Sequence, residues 1–182
     1  MKLKIQDMPA GTKVMPILHH SKINFKSTPW DLIEKKMIRW PYFESTLWSM
    51  IAVCLNDDGI GLAAPQVGIM KRLFVIRDMD EQGKLLDTFS MFFNPSYVAV
   101  PDKGKHFEVE GCLSVPGESY EVPRWVEIEA TWWDFEDHTG TAVKKTEKFS
   151  GLKARIFQHE SQHLNGVSIV NVGKAVKRGK KS

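Results

Sequence analysis

Residues 150–166 read SGLKARIFQHESQHLNG, a stretch with the periodicity of a helix. Ser150 is a common helix-capping residue type, and an Asn-Gly pair such as 165–166 commonly follows a helix end. The positions that share one face are Leu152, Ile156, His159 and His163. Because Ile156 and Phe157 give this segment an apolar side, we predict a helix embedded in the protein core.

The segments around this helix predict an α+β fold. The predicted strands are 72–77, 91–100, 125–135 and 141–149. In 125–135 the alternation puts Val126, Ile128, Ala130 and Trp132 on one face, which predicts a half-buried strand. Residues 137–140 (DHTG) predict the turn of a hairpin between the last two strands. A second helix is predicted at 42–56, and residues 1–40 are predicted to form an irregular arm with a short helical turn. The expected architecture is a mostly antiparallel β-sheet packed around a central helix.

Length and composition favour one globular domain. The chain has 182 residues, of which 42% are hydrophobic and 26% are charged. Its longest uncharged run, residues 88–101, is 14 residues long and contains polar residues, whereas a membrane-spanning helix needs about 20 apolar residues. The N-terminus lacks the pattern of a secretory signal, so we expect a cytoplasmic protein with no membrane partner.

The net charge of +3 comes from the C-terminal end of the chain. The basic residues there are Lys174, Lys177, Arg178, Lys180 and Lys181. Without them, 20 basic residues stand against 22 acidic ones, so the body of the protein gives no reason to expect specific nucleic-acid binding. We predict one folded domain over 1–172 and a flexible basic tail over 173–182 that can touch ribosomal RNA weakly.

Residues 159–163 (HESQH) fit the pattern H-E-x-x-H on the predicted core helix. A spacing of four puts both imidazoles on the same face, one turn apart, where they can bind one metal ion. Glu160 then stands beside the ion as a proton carrier. Unliganded histidines on an embedded helix would be costly, which favours a metal site over a pair of surface histidines.

A catalytic metal needs a third protein ligand. Ile169 stands where an extended H-E-x-x-H-x-x-G-x-x-H motif has its last histidine, and residues 164–182 contain no Asp or Glu. The upstream candidates are Cys112, His106, His138 and several carboxylates. Cys112 is favoured, because the glycines and proline of residues 110–117 (EGCLSVPG) predict an exposed, tightly turned backbone and a thiolate binds iron or zinc well. Cys54 lies on the apolar stripe of the 42–56 helix and is predicted to be an inert, buried thiol.

Residues 58–68 (DGIGLAAPQVG) are rich in glycine and alanine, which indicates a backbone that approaches another group closely. The segment lacks phosphate-binding motifs and has no basic residue before Lys71, so nucleotide binding is not expected. A peptide-like ligand along this strand, with Gln66 donating a hydrogen bond, is the functional interpretation. A simple packing crossover is the alternative.

Three motifs occur in a fixed order along the chain. They are G-x-G-L-A-A-P-Q at 59–66, E-G-C-L-S at 110–114 and Q-H-E-x-x-H at 158–163. Together they resemble the motifs of the peptide deformylase family, and the likeness runs from about Val14 to Val172, including Asn94-Pro95 and residues 122–124 (VPR). The resemblance implies an enzyme that removes the formyl group from N-formylmethionyl peptides or nascent chains. Gln162 departs from the family pattern H-E-x-D-H.

The resemblance also implies a set of chemical roles. The metal site that it implies consists of Cys112, His159 and His163. Iron(II) is the usual physiological metal of this family, and zinc, nickel or cobalt can occupy such a site. Glu160 carries the proton, while the backbone N–H of Leu113 and the side-chain amide of Gln66 bind the developing oxyanion.

By the same resemblance, an apolar slot receives the substrate methionine. Its implied lining is Ile60, Leu152, Ile156 and the aliphatic stem of Arg155. Glu110 and Arg124 border this slot as an ion pair. The main-chain edges of Gly61 and Gly111 are suited to pairing with an extended peptide.

Two other functions fit parts of the pattern. A metallopeptidase that cuts internal peptide bonds with H-E-x-x-H predicts a third His or Glu ligand in place of Cys112. A non-catalytic peptide-binding module requires a metal site closed by four protein groups, or no metal at all, and the presence of Glu160 argues against it.

Overall fold

The structure, a computed structural model, describes residues 1–31, 40–136 and 141–176. Its α-helices in these ranges are α1 (Glu44–Asn56), α2 (Gly151–His163) and α3 (Ile169–Val172). Its strands there are β1 (Lys2–Lys4), β2 (Gly61–Ala63), β3 (Leu73–Met79), β4 (Leu85–Ala99), β5 (Lys105–Glu110), β6 (Tyr120–Trp125), β7 (Glu127–Phe135), β8 (Ala142–Ser150) and β9 (Lys174–Ala175). The predicted α+β class is confirmed. No helix in the described ranges is both long enough and apolar enough to cross a bilayer.

The strands form two sheets with antiparallel pairing. The larger sheet has the order β2-β3-β4-β7-β8, and β1 pairs with β4. The smaller sheet has the order β5-β6-β9. The predicted pairing of 125–135 with 141–149 is confirmed by β7 and β8, where Ile128 lies opposite Phe149. The predicted turn at 137–140 lies outside the described residues.

The larger sheet carries a core on each face because side chains alternate along its strands. Leu73 and Val75 of β3 face α1, whereas Phe74 between them faces α2. The predicted apolar stripe of the 42–56 helix is buried, including Cys54, which is fully inaccessible. The predicted thiol environment of Cys54 is therefore confirmed.

Aromatic packing fixes α2 against the sheet. The Phe157 ring lies 5.0 Å from the ring of Phe74, 5.3 Å from that of Phe92 and 5.5 Å from that of Phe149. Edge-to-face pairs of this kind contribute about 0.5–1.5 kcal/mol each beyond the area they bury. Helix α2, which carries H-E-x-x-H, is therefore fixed to the larger sheet through the face that bears Phe157.

The prediction of one strand over 125–135 was wrong at its start. Trp125 ends β6 and Glu127 begins β7, with Val126 between them and 37% exposed instead of buried. The backbone N–H of Val126 donates to the Gly104 carbonyl, and the Val126 carbonyl accepts from Gly151 N. The chain turns a corner here and leaves one sheet for the other.

Other element boundaries also differ from the sequence pattern. The 42–56 helix begins at Glu44, because Trp40–Tyr42 forms a separate 3₁₀ turn. Strand β4 begins six residues before the predicted 91 and has a register shift after Phe93. Ser150 is the N-cap residue of α2, but its side chain makes no capping hydrogen bond.

The predicted tail starts with an ordered contact. Strand β9 pairs with Tyr120 and Glu121 of β6, and Val176 N donates to the Ser119 carbonyl. Residues 177–182 lie outside the described part of the chain, so a flexible tail over 173–182 stays a prediction.

Candidate metal centre and adjoining cleft

Helix α2 brings the two histidines of the motif together. The Nε2 atoms of His159 and His163 are 3.3 Å apart, and their ring centroids are 5.0 Å apart. His163 is 1% exposed, and the His159 side chain is 12% exposed. The helical spacing therefore produces the juxtaposition that the sequence predicts.

Cys112 joins this pair from the loop between β5 and β6. Its Sγ is 3.3 Å from His163 Nε2, and a turn after it is closed by a hydrogen bond from Val115 N to the Cys112 carbonyl. The candidate ligand atoms of Cys112, His159 and His163 all lie within 4.8 Å of one another. Of the other candidates, His106 is an exposed residue paired with Glu108, and His138 lies outside the described residues.

The donor atoms of these three side chains fit a tetrahedral ion. Two nitrogens bound to one ion at about 2.0–2.1 Å with tetrahedral angles lie about 3.4 Å apart, and a thiolate at about 2.3 Å lies slightly farther. Two of the three separations, from His163 Nε2 to Cys112 Sγ and to His159 Nε2, are 3.3 Å and agree with this requirement, and all three donor atoms lie within 4.8 Å of one another. One thiolate and two imidazoles are a donor set suited to iron(II), zinc, nickel or cobalt.

The charges of the donors point to a cation between them. Burial lowers the pKa of His159, but hydrogen bonds to Cys112 and Glu110 outweigh it and raise that pKa to about 10. Burial lowers the pKa of His163 well below its usual value, so this ring is neutral. The space between the donors thus favours one positive charge, which either a proton or a metal ion supplies.

Glu110 orients the first histidine. Its Oε2 lies 3.0 Å from His159 Nδ1 and accepts from Arg124 Nη2 at 2.7 Å, while its Oε1 accepts from Arg155 Nη1 at 2.7 Å. Burial raises the pKa of Glu110, but the hydrogen bonds from Arg124 and His159 outweigh it and lower that pKa to about 2. A carboxylate that accepts from Nδ1 leaves the His159 Nε2 lone pair free for a metal.

Gln162 takes part in the same network. Its Oε1 accepts from Arg124 Nη1 at 2.7 Å. The residue that departs from the family pattern therefore keeps a hydrogen bond to Arg124, with a neutral amide where the pattern has a carboxylate.

Glu160 is buried against the glycine-rich strand. It is 4% exposed, and its Oε2 has no hydrogen-bond partner among the described residues. Burial raises the pKa of Glu160 to about 7, so its carboxyl group can take up and release a proton near neutral pH. A Cβ on Gly61 would lie 2.6 Å from Glu160 Oε1, so the observed position of this carboxylate depends on a glycine in strand β2.

Gln66 is held firmly at the edge of the centre. Its Oε1 accepts from Ala63 N at 2.8 Å, and its Nε2 donates to Ser114 Oγ at 3.1 Å. The same Nε2 lies 3.8 Å from Cys112 Sγ. Its amide N–H group therefore faces the predicted ligand set, as the oxyanion role requires.

A cleft of about 690 Å³ opens beside these groups. Its lining includes the residues predicted for the substrate and the reaction, namely Ile60, Gly61, Gln66, Glu110, Gly111, Leu113, Leu152, Arg155, Ile156 and Glu160. Leu152 is 45% exposed and lies at the mouth, whereas Ile156 is 8% exposed. The sequence-predicted residues thus come together around one cavity.

Arg124 is the exception. It forms the expected ion pair with Glu110, but it is 2% exposed and does not line the cleft. Its guanidinium lies behind Glu110 and donates hydrogen bonds to the side chains of Glu110 and Gln162. The expectation that Arg124 borders the methionine slot is therefore corrected: Arg124 supports Glu110 from behind and does not line the cleft.

Two residues of the site were missed by the sequence analysis. Ser114 receives the Gln66 amide, and Glu108 lines the cleft and contacts Arg155. Ser114 stands inside the motif at 110–114, so its position was a usable signal. Glu108 gave no such signal, since a lone acidic residue in an exposed strand is usually solvated.

Comparisons with known proteins agree with this arrangement. The family model described as polypeptide deformylase matches residues 18–179. A peptide deformylase from Chlorobium luteolum is 37% identical over 167 residues, which cover 90% of this chain and 77% of the relative. The crystal structure of a probable peptide deformylase from Synechococcus phage S-SSM7 is similar with a TM-score of 0.72 and 31% identity, covering 87% of this chain and 99% of that one. The Met-Ala-Ser-bound class I type b peptide deformylase from Acinetobacter baumannii is similar with a TM-score of 0.65 and 27% identity, covering 87% of this chain and 98% of that one.

Proposed function

This chain belongs to the peptide deformylase family, and we propose that it works with one divalent metal ion held by Cys112, His159 and His163. It is a hydrolase that removes the formyl group from the N-terminal formyl-methionine of nascent polypeptides and releases formate. The observation that carries the metal proposal is that His163 Nε2 lies 3.3 Å from both Cys112 Sγ and His159 Nε2, next to a buried carboxylate, Glu160, whose Oε2 has no hydrogen-bond partner among the described residues. When bound, a divalent ion supplies a Lewis acid and activates water as a nucleophile at neutral pH.

Glu160 is the proposed proton carrier. Glu160 lines the cleft, and its buried Oε2 has no hydrogen-bond partner among the described residues, which leaves this atom free to accept a proton from the attacking water. The carboxyl group then returns this proton to the departing amine, as a positioned acid does. The raised pKa of Glu160, about 7, supports both transfers near neutral pH.

Gln66 and Leu113 are the proposed oxyanion donors. The Gln66 amide is oriented by its hydrogen bonds with Ala63 and Ser114, and the Nε2 group that also contacts Cys112 Sγ would turn toward the formyl oxygen as negative charge develops there. Leu113 follows Cys112 directly and lines the same cleft.

The cleft supports binding of a short N-terminal peptide. Ile60, Ile156 and Leu152 provide apolar surface for the methionine side chain, and the stem of Arg155 adds to it. Gly61 and Gly111 line the cleft and offer main-chain edges for an extended peptide. The Met-Ala-Ser bound by the Acinetobacter baumannii relative is a peptide of this kind.

The proposal extends to the identity of the metal ion, the place of action in the cell and the role of the basic C-terminal residues. Iron(II) is the proposed ion in the cell, because the thiolate-imidazole donor set suits it, and zinc, nickel or cobalt can replace it. A nascent-chain substrate supports action in the cytoplasm. The basic residues at 174–181 support a weak contact with ribosomal RNA.

The decisive experiment is an anaerobic assay of freshly iron-loaded protein on formyl-Met-Ala-Ser, with formate measured directly. Acetyl-Met-Ala-Ser and metal-stripped protein are the controls, and only the formyl peptide with loaded protein should give the free amine. Cleavage of an internal peptide bond would indicate a metallopeptidase, and metal-loaded protein without formate release would overturn the proposed function.

A further inference from the structure

Arg155 connects helix α2 to the smaller sheet. Its side chain is 8% exposed, and its Nη2 donates to the His106 carbonyl at 2.9 Å while its Nη1 donates to the Val122 carbonyl at 3.3 Å. The same Nη1 donates to Glu110 at 2.7 Å, and Nε lies 3.1 Å from Glu108 Oε2. One guanidinium therefore contacts three residues of β5 and one of β6.

These contacts join the two parts of the proposed metal site. Helix α2 carries both histidines, whereas β5 leads directly to Cys112. Glu110 is the shared point, since its Oε1 accepts from Arg155 and its Oε2 faces His159 Nδ1. Any change in how Arg155 holds Glu110 is transmitted to the orientation of His159.

Glu108 adds a second negative charge beside the two arginines that hold Glu110. Arg124 and Arg155 are two buried cations, and Glu110 is the one buried carboxylate between them. Gln162 gives Arg124 an acceptor without a charge. Glu108, whose side chain is 49% exposed, supplies the second negative charge from the rim of the cleft.

We propose that Arg155, with Glu108 as its counter-ion, is a positioning residue for the metal centre: it fixes Glu110 against His159 and holds the Cys112 segment in register with α2. The inference rests on the proposed metal site and adds to it a role for the guanidinium group. The aliphatic stem of Arg155 lines the proposed methionine slot, and its guanidinium group acts on the metal centre through Glu110.

Arg155→Met separates these two functions, because methionine keeps an apolar stem but has no N–H donor or charge. Retention of Co²⁺ against a chelator, measured by the thiolate-to-cobalt absorption, should fall about 10- to 100-fold. The KM for formyl-Met-Ala-Ser reports separately on the stem, and it should change by a smaller factor than Co²⁺ retention does, because methionine keeps apolar surface in the slot. The matched control is Arg77→Met, which removes an arginine bound to Leu86 and Asp87 and should keep Co²⁺ normally.

Glu108→Gln tests the counter-ion. We expect a smaller loss of Co²⁺ retention, about 3- to 10-fold, since Glu108 is half exposed and solvent screens its charge. In the double variant Glu108→Gln/Gln162→Glu, the new carboxylate replaces the amide that accepts from Arg124 and returns one negative charge to the cluster. This double variant should regain most of the Co²⁺ retention. A role of Glu108 in folding alone predicts no such rescue.

The outcomes separate this inference from the proposed function. Wild-type protein that binds no Co²⁺ through its thiolate would refute the metal site itself. Normal Co²⁺ retention in Arg155→Met, with only a raised KM, would show that Arg155 is a wall of the slot and would overturn the positioning role. Thermal unfolding of each metal-free variant identifies any loss that comes from a weakened fold.

Discussion

Gly61 and Glu160 lie so close that a Cβ on residue 61 would be 2.6 Å from the Glu160 carboxylate. Real Cβ atoms do not approach an oxygen this closely, so a larger residue at position 61 would require the carboxylate of Glu160, the proposed proton carrier, to move. The glycine-rich motif of the sequence thus has a steric cause as well as its proposed part in peptide binding.

Gly61→Ala should therefore lower kcat by about 10- to 100-fold, because displacing a reacting group by about 1 Å has effects of that size. Metal content should stay at the wild-type level, since the three atoms nearest to the new methyl group all belong to Glu160 and not to a proposed ligand. Steady-state kinetics with formyl-Met-Ala-Ser and elemental analysis test both statements. An unchanged kcat would mean that Glu160 moves aside at no loss to the reaction.

Glu160→Gln keeps the size of the side chain and removes the carboxylate. We expect kcat to fall by about 10²- to 10⁴-fold, the usual contribution of a positioned acid or base. The variant should retain metal and fold as the wild type does, which elemental analysis and circular dichroism check. Substantial remaining turnover would reject the proton-carrier role.

The two cysteines should behave differently. Cys112→Ser should lose most of its metal, because a serine hydroxyl is a poor ligand for a soft divalent ion. Cys54→Ala is the matched control and should keep metal, since Cys54 lies on α1 itself, within the hydrophobic core cluster. Equal metal contents in the two variants would contradict ligation by Cys112.

Thiol labelling gives a second measurement on the same pair. A thiol reagent should modify Cys112 in metal-free protein and be blocked when metal is bound. Cys54 should react only after unfolding, because it is fully inaccessible and burial raises the pKa of its thiol. Rapid labelling of both thiols in folded protein would disagree with this environment.

Gln66→Leu removes the proposed oxyanion donor and keeps the approximate volume. A loss of one such donor lowers kcat by about 10²- to 10³-fold. We expect this fall with little change in metal content, measured by steady-state kinetics and elemental analysis. Ser114→Ala is the companion variant: it frees the Gln66 amide from Ser114 Oγ and should have a much smaller effect.

Phe157→Leu tests the packing of α2. The ring contacts Phe74, Phe92 and Phe149 on the sheet, so replacing it leaves a partly filled space and should lower the free energy of unfolding by about 1–3 kcal/mol. Urea denaturation of metal-free protein measures this change. A variant as stable as wild type would show that the sheet closes around the smaller side chain.

Much of the architecture follows from local patterns. The alternation at 128–132 predicts which side chains of β7 are buried, and the spacing of His159 and His163 places their rings on one helix face. These predictions succeed because the relevant period lies within one element. Val126 fails for the opposite reason: its backbone bonds with Gly104 and Gly151 turn the chain between two sheets, and no short window contains those partners.

The sequence by itself identified two histidines as metal ligands, the neighbouring Glu160 as a proton carrier, and the three motifs that resemble those of the family. From the residues alone, the third ligand stayed open among Cys112, His106, His138 and carboxylates. Tertiary structure brings Cys112 to the histidines, places Arg124 behind Glu110 and makes Glu108 the counter-ion of Arg155. The physical reason is distance along the chain: helical periodicity is local, whereas these contacts form only when the smaller sheet packs against α2 and its loop carries the sulfur to the rings.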